Sequence, residues 1–144
     1  MNALVIGCGR VGSAVAKGLA ADGWEVTVVD ENEDALGRLG HDWRGGFVVG
    51  HGMDVTVLER AGVESADAAV VATDGDNTNL VIGQVLQQRY DVETVVVRVL
   101  DPARARWHRH ADGTSHSDDH GPVAAAPLGA AHATGIAAAR IVQL

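Results

Sequence analysis

The chain has 144 residues, a formal net charge of −8, 47% hydrophobic residues and only 3% aromatic ones. That size is one ordinary domain, and its core must be built from Val, Ala, Leu and Ile. The acidic balance excludes a general nucleic-acid binder and weighs against docking on an anionic membrane surface. The one cysteine, Cys8, excludes an intrachain disulfide. No run reaches the ~20 apolar residues of a membrane span, so direct insertion is not expected. The N-terminus carries no basic leader, and the expected location is cytoplasmic.

In chain order, strand-length apolar runs alternate with helical patterns. Ala3 to Ile6 reads as a strand, and Val11 to Ala21 as a helix ended by Asp22-Gly23. Glu25 to Val29 is a second strand with Asp30 at its carboxyl end, followed by a short helix over Glu31 to Leu39. Phe47 to Val49 is a third strand. Asp54 caps a helix through Ala61, stopped by Gly62. Ala68 to Ala72 is a fourth strand, Asn77 to Tyr90 the longest helix, and Thr94 to Val99 a fifth strand. Beyond Pro102 the pattern weakens: a short helix over Ala103 to His110, an exposed loop over 111–121, a sixth strand at Val123 to Ala126, and an Ala-rich final helix over 128–144. Short β-α repeats of this kind predict a single α/β domain, a doubly wound parallel sheet of about six strands with helices on both faces.

The strongest motif is Gly7-Cys8-Gly9-Arg10-Val11-Gly12, a G-x-G-x-x-G between the first strand and the first helix. In that setting it is a Rossmann-type phosphate loop. Gly7 permits the tight turn, Gly9 lets a pyrophosphate approach the backbone, and Gly12 lets helix and strand pack closely. Free N–H groups at the helix start then hold phosphate. Asp30 stands near the ~20-residue spacing expected of a ribose-binding acid. Its carboxylate accepts from both ribose hydroxyls and repels a 2′-phosphate, so NAD(H), ATP or ADP is expected and NADP is not. Asp30 can also cap the helix that follows it, and Arg10 can lie over the phosphates or equally stand as a solvated arginine.

The segment from Thr73 to Asn79 follows strand 4 beside the expected switch point. Thr73, Asp74, Asp76 and Asn79 are therefore candidates for ribose or phosphate contact or for helix capping, with Asn77 better read as a cap. Arg98, near the end of strand 5, is costly to bury without a carboxylate or phosphate partner. His108, His110, His116 and His120 share a region with Asp112, Asp118 and Asp119, but their spacing matches no tight zinc pattern. A solvated loop is the favoured reading, and no metal is expected.

These residues resemble the N-terminal nucleotide-binding domain of Trk-type potassium-uptake regulatory proteins, the RCK or KTN family. The resemblance rests on the glycine loop, Val28-Val29-Asp30, the run Leu58 to Asp67, Thr73 with Asp76 and Asn79, Arg98-Val99, and Asp101-Pro102. It covers roughly residues 1 to 110. Pro127 and the final helix resemble, more loosely, the family's last strand and crossover helix.

The resemblance implies a regulatory subunit or domain rather than an enzyme, with no catalytic residue. Its ligand would be NAD(H), ATP or ADP, held by Gly7, Gly9, Arg10, Val11, Gly12, Asp30, Thr73, Asp74, Asn79 and Arg98. Its partner would be a potassium transporter or channel at the inner face of the cell membrane. Homodimers or rings are implied, with the helix over 128–144 crossing the dimer. Two departures stand out: His51 follows Gly50 where the family often has an acid, and the loop over 111–121 is longer than usual. The separate regulatory domain that often follows is not seen here, so the chain reads as a minimal or truncated version.

Two other functions fit the glycine loop. A nucleotide- or NAD(H)-sensing domain of another complex would use the same residues. An NAD-dependent dehydrogenase would need a catalytic donor and a substrate domain, and no Tyr-x-x-x-Lys pair exists, Lys17 being the only lysine.

Overall fold

The computed structural model describes residues 1–101 in full and residues 139–142 as backbone. Strand β1 spans Asn2–Ile6, helix α1 Arg10–Ala21, β2 Glu25–Asp30 and β3 Gly46–Val49. Helix α2 covers Val55–Arg60, β4 Ala68–Val71, α3 Asp76–Gln88, β5 Thr94–Arg98 and β6 Ala139–Val142. Two 3₁₀ segments, Glu33–Leu39 and Val63–Ser65, complete the described elements. The six strands form one sheet in the order β3-β2-β1-β4-β5-β6, every pairing parallel. This is the doubly wound Rossmann topology, in which the order reverses between β1 and β4.

Strands buried on both faces must be apolar on both, and the two cores show it. Leu4, Ile6, Val29, Ala69, Val71, Val95 and Val97 face one way, packing with Leu58 of α2 and with Leu80, Ile82 and Leu86 of α3. The alternate residues Ala3, Val5, Val26 and Val28 face the other way, against Ala16 of α1 and Ala35 and Leu39 of the first 3₁₀ segment. Helix α1 buries only small residues, Gly12, Ser13 and Ala16, so it lies close to the sheet. Asp54 caps α2 by accepting from the Thr56 N–H at 2.9 Å.

The C-terminal expectation needs correction. The helix read over 128–144 gives way at Ala139–Val142 to strand β6, which pairs with β5 from Val95↔Ala139 to Arg98↔Val142. A short apolar run suits either state by pattern alone, and here pairing with the free edge of β5 decides it. The rest of that stretch lies outside the described residues. So do the short helix over 103–110, the loop over 111–121, the strand at 123–126 and His108, His110, His116 and His120. Among the described residues, no helix is long and apolar enough to cross a membrane.

Candidate functional site

A crevice of about 540 Å³ opens at the carboxyl ends of the strands. It is lined by the glycine loop, the end of β2, the turn after β3 and the loop after β4. This is the switch point, where the helices after β1 and β4 leave on opposite faces and part the loops.

The glycine loop is shaped by steric necessity. Gly7 has φ +98°, and a Cβ there would stand 2.6 Å from the Ala72 carbonyl oxygen. At Gly12 a Cβ would overlap the Gly7 carbonyl oxygen itself. The loop is tied to β2 by the Gly7 N–H donating to the Val29 carbonyl at 2.8 Å. Gly9 is the N-cap of α1, and among the described residues no side chain caps the helix start, which leaves its first-turn N–H groups open to a ligand.

Asp30 is the structural centre of the crevice. Its Oδ2 accepts from the buried Cys8 N–H at 2.7 Å, and its Oδ1 accepts from the Asn32 N–H at 2.8 Å. The Asn32 side chain then accepts from the Asp34 N–H at 2.9 Å and starts the 3₁₀ segment. A carboxylate has about four lone-pair sites, so two remain for hydroxyl donors. Cys8 is buried, and its thiol donates to the Ala35 carbonyl at 3.4 Å. Burial pushes the thiol pKa up and the Asp30 charge adds to this, while Arg38 and Lys17 oppose it. The resulting protonated thiol is a poor nucleophile.

Of the residues singled out from the sequence, Gly7, Gly9, Asp30, Thr73 and Asp74 line the crevice. Gly12 shapes the loop from behind. Arg10 opens α1 as an exposed side chain outside the lining, with Val11 beside it and half-buried.

Three candidates lie outside the crevice lining. Asn79 is fully buried. Its Oδ1 accepts from the Thr73 N–H at 3.0 Å and from the Thr73 hydroxyl, and its Nδ2 donates to the carbonyls of Thr73 at 3.0 Å and Arg98 at 2.9 Å. With its amide spent in this way it positions the loop and the end of β5 and has nothing left for a ligand. Arg98 does not line the crevice. It alternates with Val97, which packs toward α3, so its side chain leaves the opposite face of β5, where its buried Nε has no hydrogen-bond partner among the described residues. Asp76 also acts structurally, accepting from the N–H groups of Leu100 and Asp101 at 2.8 Å each.

Sequence reasoning missed Arg38, Glu31 and Thr78 as crevice residues and gave His51 no contact there. His51 Nε2 stands 3.2 Å from Glu31 Oε1 across the mouth, while its Nδ1 accepts from the Met53 N–H at 3.1 Å. The 3₁₀ path that brings Arg38 over the loop leaves no periodic trace.

The TrkA-N domain family model matches residues 3–115. The Trk system potassium uptake protein TrkA of Streptomyces coelicolor is 40% identical over 109 residues, 76% of this chain and 49% of that protein. The TrkA homolog of Methanothermobacter thermautotrophicus is 31% identical over 71% of this chain and 47% of its own length. The chain thus spans about half the length of these curated relatives. Among solved structures, the C-terminal domain of Kef from Shewanella denitrificans, in an AMP-bound form, superposes with a TM-score of 0.68 at 23% identity, over 83% of this chain and 72% of that one. The GsuK channel bound to NAD superposes at 0.64 and 22% identity, over 76% and 19% of the two chains. With the family's motif residues on the loop, strand ends and turns that form the crevice, this chain belongs to the TrkA-N domain family.

Proposed function

We propose that the crevice binds an adenine nucleotide with a free 2′-hydroxyl, NAD(H), ATP or ADP, and that the domain passes the bound state to a membrane potassium transporter or channel. The observation that carries this is the pairing of an uncapped helix start at Gly9 with the Asp30 carboxylate across the same crevice. Phosphates would sit on the N–H groups and dipole at the start of α1, with Arg10 beside them. The two ribose hydroxyls would donate to the remaining lone pairs of Asp30. A 2′-phosphate would meet Asp30 together with Glu31 and Asp34, so NADP would be rejected.

The nucleotide acts as an allosteric ligand and is not chemically changed; the buried, protonated Cys8 supports this. The names of the curated relatives support a potassium transport partner, and the proposed location is the cytoplasmic face of the membrane, as a homodimer or ring. Allosteric control requires two ligands that favour two conformations unequally, by ~1–3 kcal/mol for a useful response.

Titration calorimetry with NAD, ADP, ATP and NADP tests the site. Potassium flux through the cognate transporter, titrated with each nucleotide, tests the output. Tight NADP binding without NAD, ADP or ATP binding overturns the ligand assignment. Flux indifferent to every nucleotide overturns the regulatory one.

A further inference from the structure

The crevice presents a charge problem to any phosphate. Asp30, Glu31, Asp34 and Asp74 all line it, and each repels an anion moving toward the glycine loop. Among the described residues Arg38 is the one Arg or Lys in the same lining. It comes from the last turn of the segment Glu33–Leu39, whose base is firmly held. Ala35 and Leu39 are buried under it, Asn32 caps it, and the Cys8 thiol bonds to it through the Ala35 carbonyl. The side chain itself is exposed. Its Nη1 lies 3.7 Å from the point where a Cβ on Gly9 would stand, the nearest described atom there apart from Gly9 and its own chain neighbours. Among the described residues no carboxylate or carbonyl holds the guanidinium, although four carboxylates share its crevice.

A strong donor fork thus stands over the glycine of the phosphate turn, on a fixed base and with a free head. We propose that Arg38 is the specificity residue that reads the phosphate charge of the bound nucleotide, closing over the phosphates held at Gly9 and offsetting the carboxylates around them. This rests on the nucleotide reading of the crevice and adds to it a residue remote from the glycine motif. A planar guanidinium can grip a phosphate through two parallel N–H···O bonds, which a lysine cannot. Binding should therefore strengthen along adenosine, AMP and ADP, with Arg38 supplying much of the increment.

The test is calorimetry of native chain, Arg38→Gln and Arg38→Lys with adenosine, AMP and ADP at low and moderate salt. Thermal melting should show all three equally folded, since the side chain is exposed. Arg38→Gln should lose about tenfold in ADP affinity, the effect of one charge-assisted contact, with adenosine affinity unchanged. Its ADP binding should also depend less on salt, because a screened attraction is gone. Arg38→Lys should recover part of the loss. If native chain binds ADP and Arg38→Gln binds it equally well with the same salt dependence, this inference fails and the nucleotide site stands. If native chain binds no adenine nucleotide, the site reading fails and this inference with it.

Discussion

Replacing Asp30 separates its structural work from its ligand work. In Asp30→Ala the Cys8 N–H, whose residue is only 1% exposed, loses its 2.7 Å acceptor. A buried N–H left unpaired costs about 1–3 kcal/mol. The Asn32 N–H is exposed and turns to water, so it adds little. At ~3 °C per kcal/mol for a domain of this size, melting should fall by roughly 3–9 °C. Asp30→Asn keeps one acceptor oxygen, which can stay on Cys8, so its melting loss should stay within ~1 kcal/mol.

Both variants lose the charge that faces a 2′-phosphate. NAD affinity should drop about 5- to 20-fold in Asp30→Asn, equivalent to ~1–1.8 kcal/mol, and the preference for NAD over NADP should shrink. Melting curves and calorimetry on the three chains give both readouts. Native melting in Asp30→Ala would refute the structural part of this reasoning. Native NAD affinity and selectivity in Asp30→Asn would refute the ribose part.

Gly12→Ala places a methyl against the Gly7 carbonyl oxygen, a backbone atom that cannot give way, and should cost more than ~3 kcal/mol or abolish folding, read by chemical denaturation. Asn79→Ala strips partners from three backbone groups, the Thr73 N–H and the Thr73 and Arg98 carbonyls; a loss of ~3 kcal/mol or more is expected, and one below ~1 kcal/mol would contradict the clamp. Stability should also fall at alkaline pH through Cys8. The folded thiol pKa lies above the unfolded one, so the native state keeps its proton longer. Stability from this source is therefore full below the ordinary thiol range and declines as pH rises toward the folded pKa. Cys8→Ala should remove that slope from melting curves taken across alkaline pH.

Much of the fold was legible in the sequence because its signals are local. Apolar runs such as Leu4-Val5-Ile6 and Val95-Val96-Val97 are continuous, as buried parallel strands require, and Gly or Asp marks the ends between them. The positions of the loop from Gly7 to Gly12 and of the acid at Asp30 were legible for the same reason: they follow from backbone geometry at fixed spacing.

What the tertiary structure alone decided depends on which distant atoms meet. Residues 139–142 carry a pattern that suits helix or strand, and the open edge of β5 made them a strand. Asn79, in the first turn of α3, and Arg98, at the end of β5, are polar residues beside the expected crevice, which as sequence reads as ligand contact. Packing turned Asn79 into a buried clamp and sent Arg98 out of the crevice lining. Arg10 lies inside the motif and Arg38 far from it, yet Arg38 lines the crevice, because the 3₁₀ segment after β2 folds back over Gly9. Spacing records the path of the backbone; where a long flexible cation ends up is set by the packing of the segment beneath it.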